Sequence, residues 1–205
     1  MHSVAVRTFA AQARQAGLTA TQATALQRQV DAIIAKDGGQ QVAANEISLP
    51  HGGAVLLALP GHRYARVIPG AVNLGFAVAS PNDDRTAPMT HPVPAAGVTP
   101  NYTGSGSSNG GTWYWNGTSC FYQYICMWQG QNGTGTLFRV SQCNLDQELP
   151  GSGWNTGGSW LNNETPGTVA YFKNSGHGTI YTTPAPVFWN SDYNWQPVWY
   201  VNACA

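Results

Sequence analysis

Cysteine is the residue type with the clearest chemistry in this sequence. The four cysteines lie at positions 120, 126, 143 and 204, all in the second half of the chain. An even cysteine count in a Gly- and aromatic-rich segment predicts disulfides and an oxidising compartment. Of the three pairings we favour Cys120–Cys126, which is local, and Cys143–Cys204, which would tie the end of the segment to its middle. Four buried free thiols are the alternative, and the lack of a CxxC or close Cys/His spacing disfavours a metal.

Residues that could carry catalysis form no convincing set. Residues 106–110 match GxSxG, but they lie in a Gly/Ser run and not at a strand-to-helix elbow. The five histidines are scattered, without an HExxH pattern. A glycosidase pair would have to come from the acidic residues of the second half, which are more simply solvated loop residues: Asp146, Glu148, Glu164 and Asp192. We therefore predict that the protein is not an enzyme.

Aromatic side chains next to amides offer a second kind of chemistry, the binding of sugars. All eight tryptophans lie between positions 113 and 199, and several are followed by asparagine. Large aromatics in a small β domain mostly form its core, each burying about 150–250 Å². Trp113 and Trp115 share one face of a strand near the start of the segment, so we predict them as the ligand-binding aromatics.

Charge excludes one class of partner. Only 9% of the 205 residues are charged, against roughly 25% in typical soluble domains. Nine basic residues balance nine acidic ones, and only Arg139 and Lys173 follow residue 100, which excludes nucleic acid. The longest aliphatic run, residues 54–59, is too short to span a membrane. We expect a monomer.

The first part of the chain predicts a small α+β unit over residues 1–79. Thr19 and Gln22 form the pattern of a capping box at the start of a helix. Leu26, Val30, Ile33 and Ile34 then fall on one apolar stripe, which Gly38 ends. Residues 40–49 and 54–59 predict two strands joined by a turn, and this hairpin needs the helical stripe to bury its apolar face.

The remainder divides into a linker and an all-β domain. Residues 80–111 are rich in Pro and then in Gly, Ser and Asn, without apolar periodicity, which predicts a linker. Residues 112–205 contain short apolar runs separated by Gly, Asn and Pro, which predict strands of a β-sandwich.

One pattern occurs twice in the predicted β domain. Trp128 is followed after six residues by Gly135 and then by Thr-Leu-Phe. Tyr171, 43 positions later, is followed after six residues by Gly178 and then by Thr-Ile-Tyr. We predict two hairpins, one in each of two stacked sheets, with the glycine at a positive φ or at a close backbone approach.

These motifs resemble those of a known family. An aromatic, six residues and a glycine are typical of the Greek-key units of the βγ-crystallin fold. The spacing Cys120-x5-Cys126-x-Trp128-x6-Gly135 is similar to the opening of the streptomycete metalloproteinase inhibitor family, as are residues 158–172 and 194–204. The resemblance implies a mainly β fold: a βγ-crystallin-like Greek-key β-sandwich preceded by the helix-helix-hairpin unit, which is similar to a leader or pro-segment of such proteins.

The resemblance also implies a candidate calcium site. The βγ-crystallin fold often binds calcium through a stretch that begins with two Asn or Asp residues. Here Asn162, Asn163 and Glu164 begin such a stretch, and Asp192 could add an oxygen. Calcium needs six to eight oxygen ligands, and these residues supply only part of that shell. A turn with an Asx hydrogen bond is the alternative, and we expect no other cofactor.

The function implied by the resemblance is inhibition of a secreted peptidase, with a metallopeptidase as the target. The inhibitor that names the family presents its reactive bond on a loop bounded by a second short Cys–Cys pair, which is missing here because Cys143 and Cys204 lie 61 positions apart. No reactive-site residue is therefore transferred. The alternative is a non-catalytic module that binds a cell-wall glycan. The cysteines imply a secreted protein, although no export signal is visible at the start of the sequence.

Overall fold

The fold is mainly β, as predicted, with two helices in its N-terminal unit. A computed structural model describes residues 2–68, 93–94, 113–115 and 118–204, and the side chains of residues 9–68 and 120–204. The helices are α1 (His2–Gln15) and α2 (Ala20–Asp37). The strands are β1 (Gln40–Ala43), β2 (Glu46–Ser48), β3 (Ala54–Leu56), β4 (Val93–Pro94), β5 (Trp113–Trp115), β6 (Thr118–Cys120), β7 (Tyr124–Trp128), β8 (Leu137–Val140), β9 (Gln147–Glu148), β10 (Gly157–Asn163), β11 (Tyr171–Lys173), β12 (Thr179–Thr182), β13 (Phe188–Asn194) and β14 (Tyr200–Asn202).

Helix α2 begins and ends where the sequence predicts. The hydroxyl of Thr19 accepts from the N–H of Gln22, and the side chain of Gln22 accepts from the N–H of Thr19, which completes the capping box. Its predicted apolar stripe is buried at Leu26, Val30 and Ile33. Neither helix has the length and apolar composition that crossing a membrane requires, within the part of the chain that the structure describes.

The predicted strand over residues 40–49 is wrong in one respect, because it is two strands. β1 and β2 pair antiparallel and are joined by a tight turn at Ala44 and Asn45. The carboxamide of Asn45 donates to the carbonyls of Leu57 (2.8 Å) and Arg66 (2.9 Å), and these buried bonds fix the turn. β2 then pairs with β3 as the predicted hairpin.

The N-terminal hairpin is part of the main sheet of the protein. β3 pairs antiparallel with β8, so the order of the seven-stranded sheet is β1-β2-β3-β8-β7-β10-β13. A four-stranded sheet has the order β12-β11-β14-β9. β4, which lies inside the predicted linker, pairs with β5, and β5 pairs with β6.

One hydrophobic core joins the N-terminal unit to both sheets. Leu26, Val30 and Ile33 of α2 lie in the same buried cluster as Phe138 of β8 and Phe172 of β11. The opposite face of the seven-stranded sheet covers a second cluster around Trp128, Leu137 and Leu161. The central strands therefore bury both faces, which explains why β7, with the sequence YICMW, is almost continuously apolar.

The end of α2 contacts the loop after β9. Ile33 is 6% exposed, and its side chain packs directly against Gly151. It occupies the space that a Cβ on Gly151 would need. The Oδ2 of Asp37 accepts from the N–H of Gly151 (2.8 Å), and Lys36 pairs with Glu148 (2.6 Å). These contacts hold the helix against the four-stranded sheet.

Both predicted disulfides are present, Cys120–Cys126 and Cys143–Cys204. No free cysteine remains among the described residues, which include all four cysteines. The first links β6 to β7, and the second links the end of β8 to the C-terminal end of β14.

The two predicted hairpins are present, one in each sheet, but they are not equivalent. Trp128 pairs with Leu137 across the first, with Gly135 at φ +79°. In the second, Tyr171 pairs with Thr182, two residues beyond the matching position, and the register also shifts after Phe172. Gly178 allows a close approach there, since its Cβ would lie 3.3 Å from the Asn174 side chain.

Three predictions stay open. Residues 69–92, 95–112 and 116–117 lie outside the described residues, so the division into 1–79, 80–111 and 112–205 stays a prediction. Greek-key connectivity also stays a prediction, and so does a monomeric state.

The shared core predicts that the two halves unfold together. Ile33→Ala should lower the free energy of unfolding by about 2–5 kcal/mol, because it leaves a cavity in a core that both sheets line. Every tryptophan lies between positions 113 and 199, so tryptophan fluorescence in a urea titration reports on the β part alone. The substitution in α2 should nevertheless move that transition.

Ile180→Ala is the matched control, since Ile180 is 41% exposed and its truncation should change the free energy of unfolding by less than about 1 kcal/mol. An unchanged fluorescence midpoint in Ile33→Ala would show that α2 and the β part unfold independently.

Candidate functional site

The turn between β11 and β12 is an exposed loop of the four-stranded sheet that several internal hydrogen bonds hold. The Oδ1 of Asn174 accepts from the N–H groups of Gly176 and Gly178, both at 3.0 Å. The backbone N–H of Asn174 donates to the carbonyl of Gly178 (2.9 Å), and the backbone carbonyl of Asn174 accepts from the N–H of His177 (3.0 Å). Residues 174–180 are exposed, and His177 takes a positive φ of 62° at the tip. A single asparagine thus fixes the shape of this turn.

Asp146 lies directly before β9 and contacts both the turn and two other strands of the sheet, β11 and β14. Its Oδ1 accepts from the Nζ of Lys173 on β11 (2.7 Å) and the Nδ2 of Asn202 on β14 (3.1 Å). Its Oδ2 lies 2.8 Å from the Nδ1 of His177. The imidazole of His177 also stacks on the ring of Tyr200, with centroids 4.1 Å apart and an interplanar angle of 16°. His177 is therefore held from two sides although its side chain is 56% exposed.

The surroundings of Asp146 keep its carboxyl ionised. Partial burial acts to raise its pKa, but the hydrogen bonds from Lys173, His177 and Asn202 outweigh burial and hold the pKa below its usual value. At neutral pH this group is a carboxylate that only accepts hydrogen bonds.

The predicted calcium residues Asn162, Asn163 and Glu164 are buried at the end of β10, where they stabilise the following turn. The Oδ1 of Asn162 accepts from the N–H of Glu164 (3.1 Å), which is the Asx turn named as the alternative. The side-chain amide of Asn163 donates to the carbonyl of Cys120 (3.1 Å). The backbone carbonyl of Asn163 accepts from the N–H of Gln123 (2.9 Å). Two of the oxygens that calcium would need, the Oδ1 of Asn162 and the backbone carbonyl of Asn163, are thus engaged within the protein.

Asp192 is not brought to these three residues. It lies on β13 beside Gly157, at the opposite end of β10 from Asn162, and accepts from the Nε2 of Gln131 (2.7 Å). Among the described residues, no group of three or more His, Cys, Asp or Glu side chains is placed to hold a metal ion.

Glu164 is nevertheless electrostatically unusual. It is 3% exposed, and burial raises the pKa of its carboxyl to about 7, while the N–H of Thr165 acts in the opposite direction. This buried carboxyl therefore changes charge in the neutral range.

Four of the six tryptophans whose side chains are described form the core, as predicted. Trp128, Trp160 and Trp195 are fully buried, and Trp154 is 6% exposed. The predicted ligand-binding residues Trp113 and Trp115 lie on β5, but their side chains are outside the described residues.

Sequence reasoning missed two features of this surface. Trp199 is 51% exposed because it precedes the start of β14, where the inside-outside alternation of a strand does not yet apply. The pairing of Asp146 with His177 was also missed, since the two residues lie 31 positions apart and neither belongs to a motif.

The comparisons with known proteins agree with the resemblance. The model of peptidase inhibitor family I36 matches residues 115–183, about a third of the chain, and confirms the predicted family resemblance for that segment. The matched segment contains both hairpins and the turn at His177. No curated protein and no solved structure matches the chain.

The raised pKa of Glu164 predicts a pH dependence of stability. A carboxyl whose pKa is higher in the folded than in the unfolded state takes up a proton on folding between the two values. The free energy of unfolding should therefore fall as the pH rises from its ordinary pKa of 4.5 to about 7. Glu164→Gln should remove this slope, and at pH 8 it should be more stable than the wild type, at most by on the order of 3 kcal/mol.

Urea unfolding at pH 4.5, 6 and 8 measures this slope. Glu148→Gln is the control, because the side chain of Glu148 is 38% exposed and that variant should keep the wild-type slope. A Glu164→Gln variant that is less stable than the wild type at pH 8 would contradict the prediction.

Proposed function

We propose that the protein is a secreted, non-catalytic peptidase inhibitor whose target is a metallopeptidase. The observation that carries this proposal is the family match over residues 115–183. The two disulfides support the assignment to an oxidising compartment outside the cytoplasm.

The turn at residues 174–178 supports the proposal physically. An inhibitor loop binds tightly when it already has its bound shape, since little conformational entropy is then lost in the complex. Asn174 holds the turn with two side-chain and two backbone hydrogen bonds, and Asp146 holds His177. In this proposal these contacts take the part of the second short Cys–Cys pair that bounds the reactive loop in the inhibitor that names the family.

The test is inhibition by the full chain. Thermolysin and one serine, one cysteine and one aspartic endopeptidase are each titrated with purified protein at up to micromolar concentration. We expect stoichiometric loss of thermolysin activity and no loss of the other three. Absence of inhibition across the panel would end the proposal.

The role of the turn is tested by Asn174→Ala, which frees two exposed N–H groups without creating a cavity. We expect the inhibition constant to rise about tenfold, because the loop must then be ordered on binding. Asn194→Ala is the matched control, because it removes one exposed Asx contact, to the N–H of Gln196, on the other sheet. Equal inhibition constants for the two variants would place the contact surface elsewhere.

A second candidate function, non-catalytic binding of a cell-wall glycan, is favoured by the exposed ring of Trp199. A flat exposed indole is the kind of surface on which sugars stack. If this function holds, the wild type should sediment with chitin, glucan or peptidoglycan, and Trp199→Ala should stay in the supernatant. Wild-type protein that remains wholly in the supernatant with all three polymers would exclude it.

A further inference from the structure

One nitrogen of His177 points away from the contacts that hold the ring. The Nδ1 lies 2.8 Å from the Oδ2 of Asp146, and the ring face lies against Tyr200. The Nε2 lies on the side of the ring away from Asp146, and more than half of this side chain is exposed. The Nε2 of His177 thus lies exposed at the tip of a turn that hydrogen bonds hold in shape.

The protonation of this ring follows from its partner. Asp146 is ionised at neutral pH, because its hydrogen bonds hold the pKa of its carboxyl low. A carboxylate can only accept, so the Nδ1 of His177 must carry the hydrogen. In the neutral imidazole the lone pair then lies on Nε2, where it can bind a metal ion.

A neutral imidazole with a carboxylate behind it is the arrangement that histidine ligands of zinc usually have. The described residues place no second and third ligand beside His177, so this chain does not offer a complete metal site of its own. A catalytic zinc, by contrast, is held by three ligands of its own protein and keeps one position open for water or substrate. Such a zinc needs one further ligand only.

We propose that His177 binds, through Nε2, the catalytic zinc of the metallopeptidase that this protein inhibits. The inference rests on the proposed function and specifies its chemistry. The imidazole takes the open coordination position in place of the zinc-bound water, so no bond of either protein is broken. Asp146 and Tyr200 act as positioning residues, since they fix the tautomer and the orientation of the ring.

The variant that tests this is His177→Asn. Asparagine tolerates the positive φ of this position, and its Nδ2 can replace Nδ1 as the donor to Asp146, but it has no atom equivalent to Nε2. His51→Asn is the matched control, because His51 is also an exposed histidine at a positive φ, 60°, in a turn of the N-terminal unit. Both variants should fold like the wild type.

Inhibition constants are measured for the three proteins on thermolysin, and affinities on zinc-free thermolysin. We expect His177→Asn to raise the inhibition constant roughly 30-fold or more, as loss of a central contact does, and His51→Asn to leave it unchanged. On the zinc-free peptidase, the wild type and His177→Asn should bind equally. With cobalt in place of zinc, the visible absorption bands should shift on adding the wild type and not on adding His177→Asn.

The outcomes separate this inference from the proposed function. Inhibition by the wild type that is unchanged in His177→Asn, or an unshifted cobalt spectrum, overturns the zinc contact and leaves the inhibitor function standing. An equal loss of affinity on the zinc-containing and the zinc-free peptidase also overturns it, because His177 would then contact protein and not metal. A wild type that inhibits no zinc peptidase removes the proposed function, and this inference with it.

Discussion

The pairing of β3 with β8 is the interaction on which the rest of the structure depends. Without it β8 would be an edge strand with an open row of N–H and C=O groups, which is a template for association with other chains.

The pairing also covers Arg139 on β8, a guanidinium that is 3% exposed and stacks over the rings of Phe121 and Tyr124. Burial lowers the pKa of Arg139, while Tyr124 and the buried carboxyl of Glu46 on β2 counteract that effect. A buried charge of this kind requires partners, and one of them comes from the N-terminal hairpin. The segment that matches the inhibitor family therefore depends on residues well outside the match.

The two sheets have different roles because they are buried differently. The seven-stranded sheet is covered on both faces, so its polar residues, such as Asn162 and Asn163, serve to satisfy backbone groups within the fold. The four-stranded sheet packs Phe172 and Val201 against the core and turns Lys173 and Tyr200 away from it. Alternation along its strands thus forms a polar outer face, and Asp146 fixes that face by contacts with two neighbouring strands. Recognition of another protein fits this sheet, since side chains that must meet a partner have to be both exposed and positioned.

Features that depend on neighbouring residues in sequence were predictable, and features that depend on distant contacts were not. Thr19 and Gln22 specify the start of α2 locally, and the spacing of the cysteines was enough to favour the correct pairing. The residues of β13 do not predict a strand, because its centre, Asn190-Ser191-Asp192, has the composition of a loop; it is a strand because β10 supplies its hydrogen-bond partners. The register of the second hairpin also differs from that of the first, with an irregularity after Phe172 that the repeated sequence pattern does not encode. The Asp146–His177 contact forms only when three strands have been assembled, and no local pattern encodes it.

Hydrogen bonds inside the exposed turn constrain it differently from a disulfide. A disulfide limits a loop by fixing two positions, and the residues between them keep some freedom. At residues 174–178 the side chain of Asn174 binds two N–H groups inside the turn, so the backbone is held at Gly176 and Gly178. The contact of Asp146 with His177 adds a constraint on a side chain, which a disulfide in the backbone of the loop would not provide. A site that acts through one oriented side chain needs a constraint on that side chain more than it needs a constraint on the loop backbone. The internal hydrogen-bonding of this turn is therefore better suited to presenting an imidazole than to presenting a stretch of backbone.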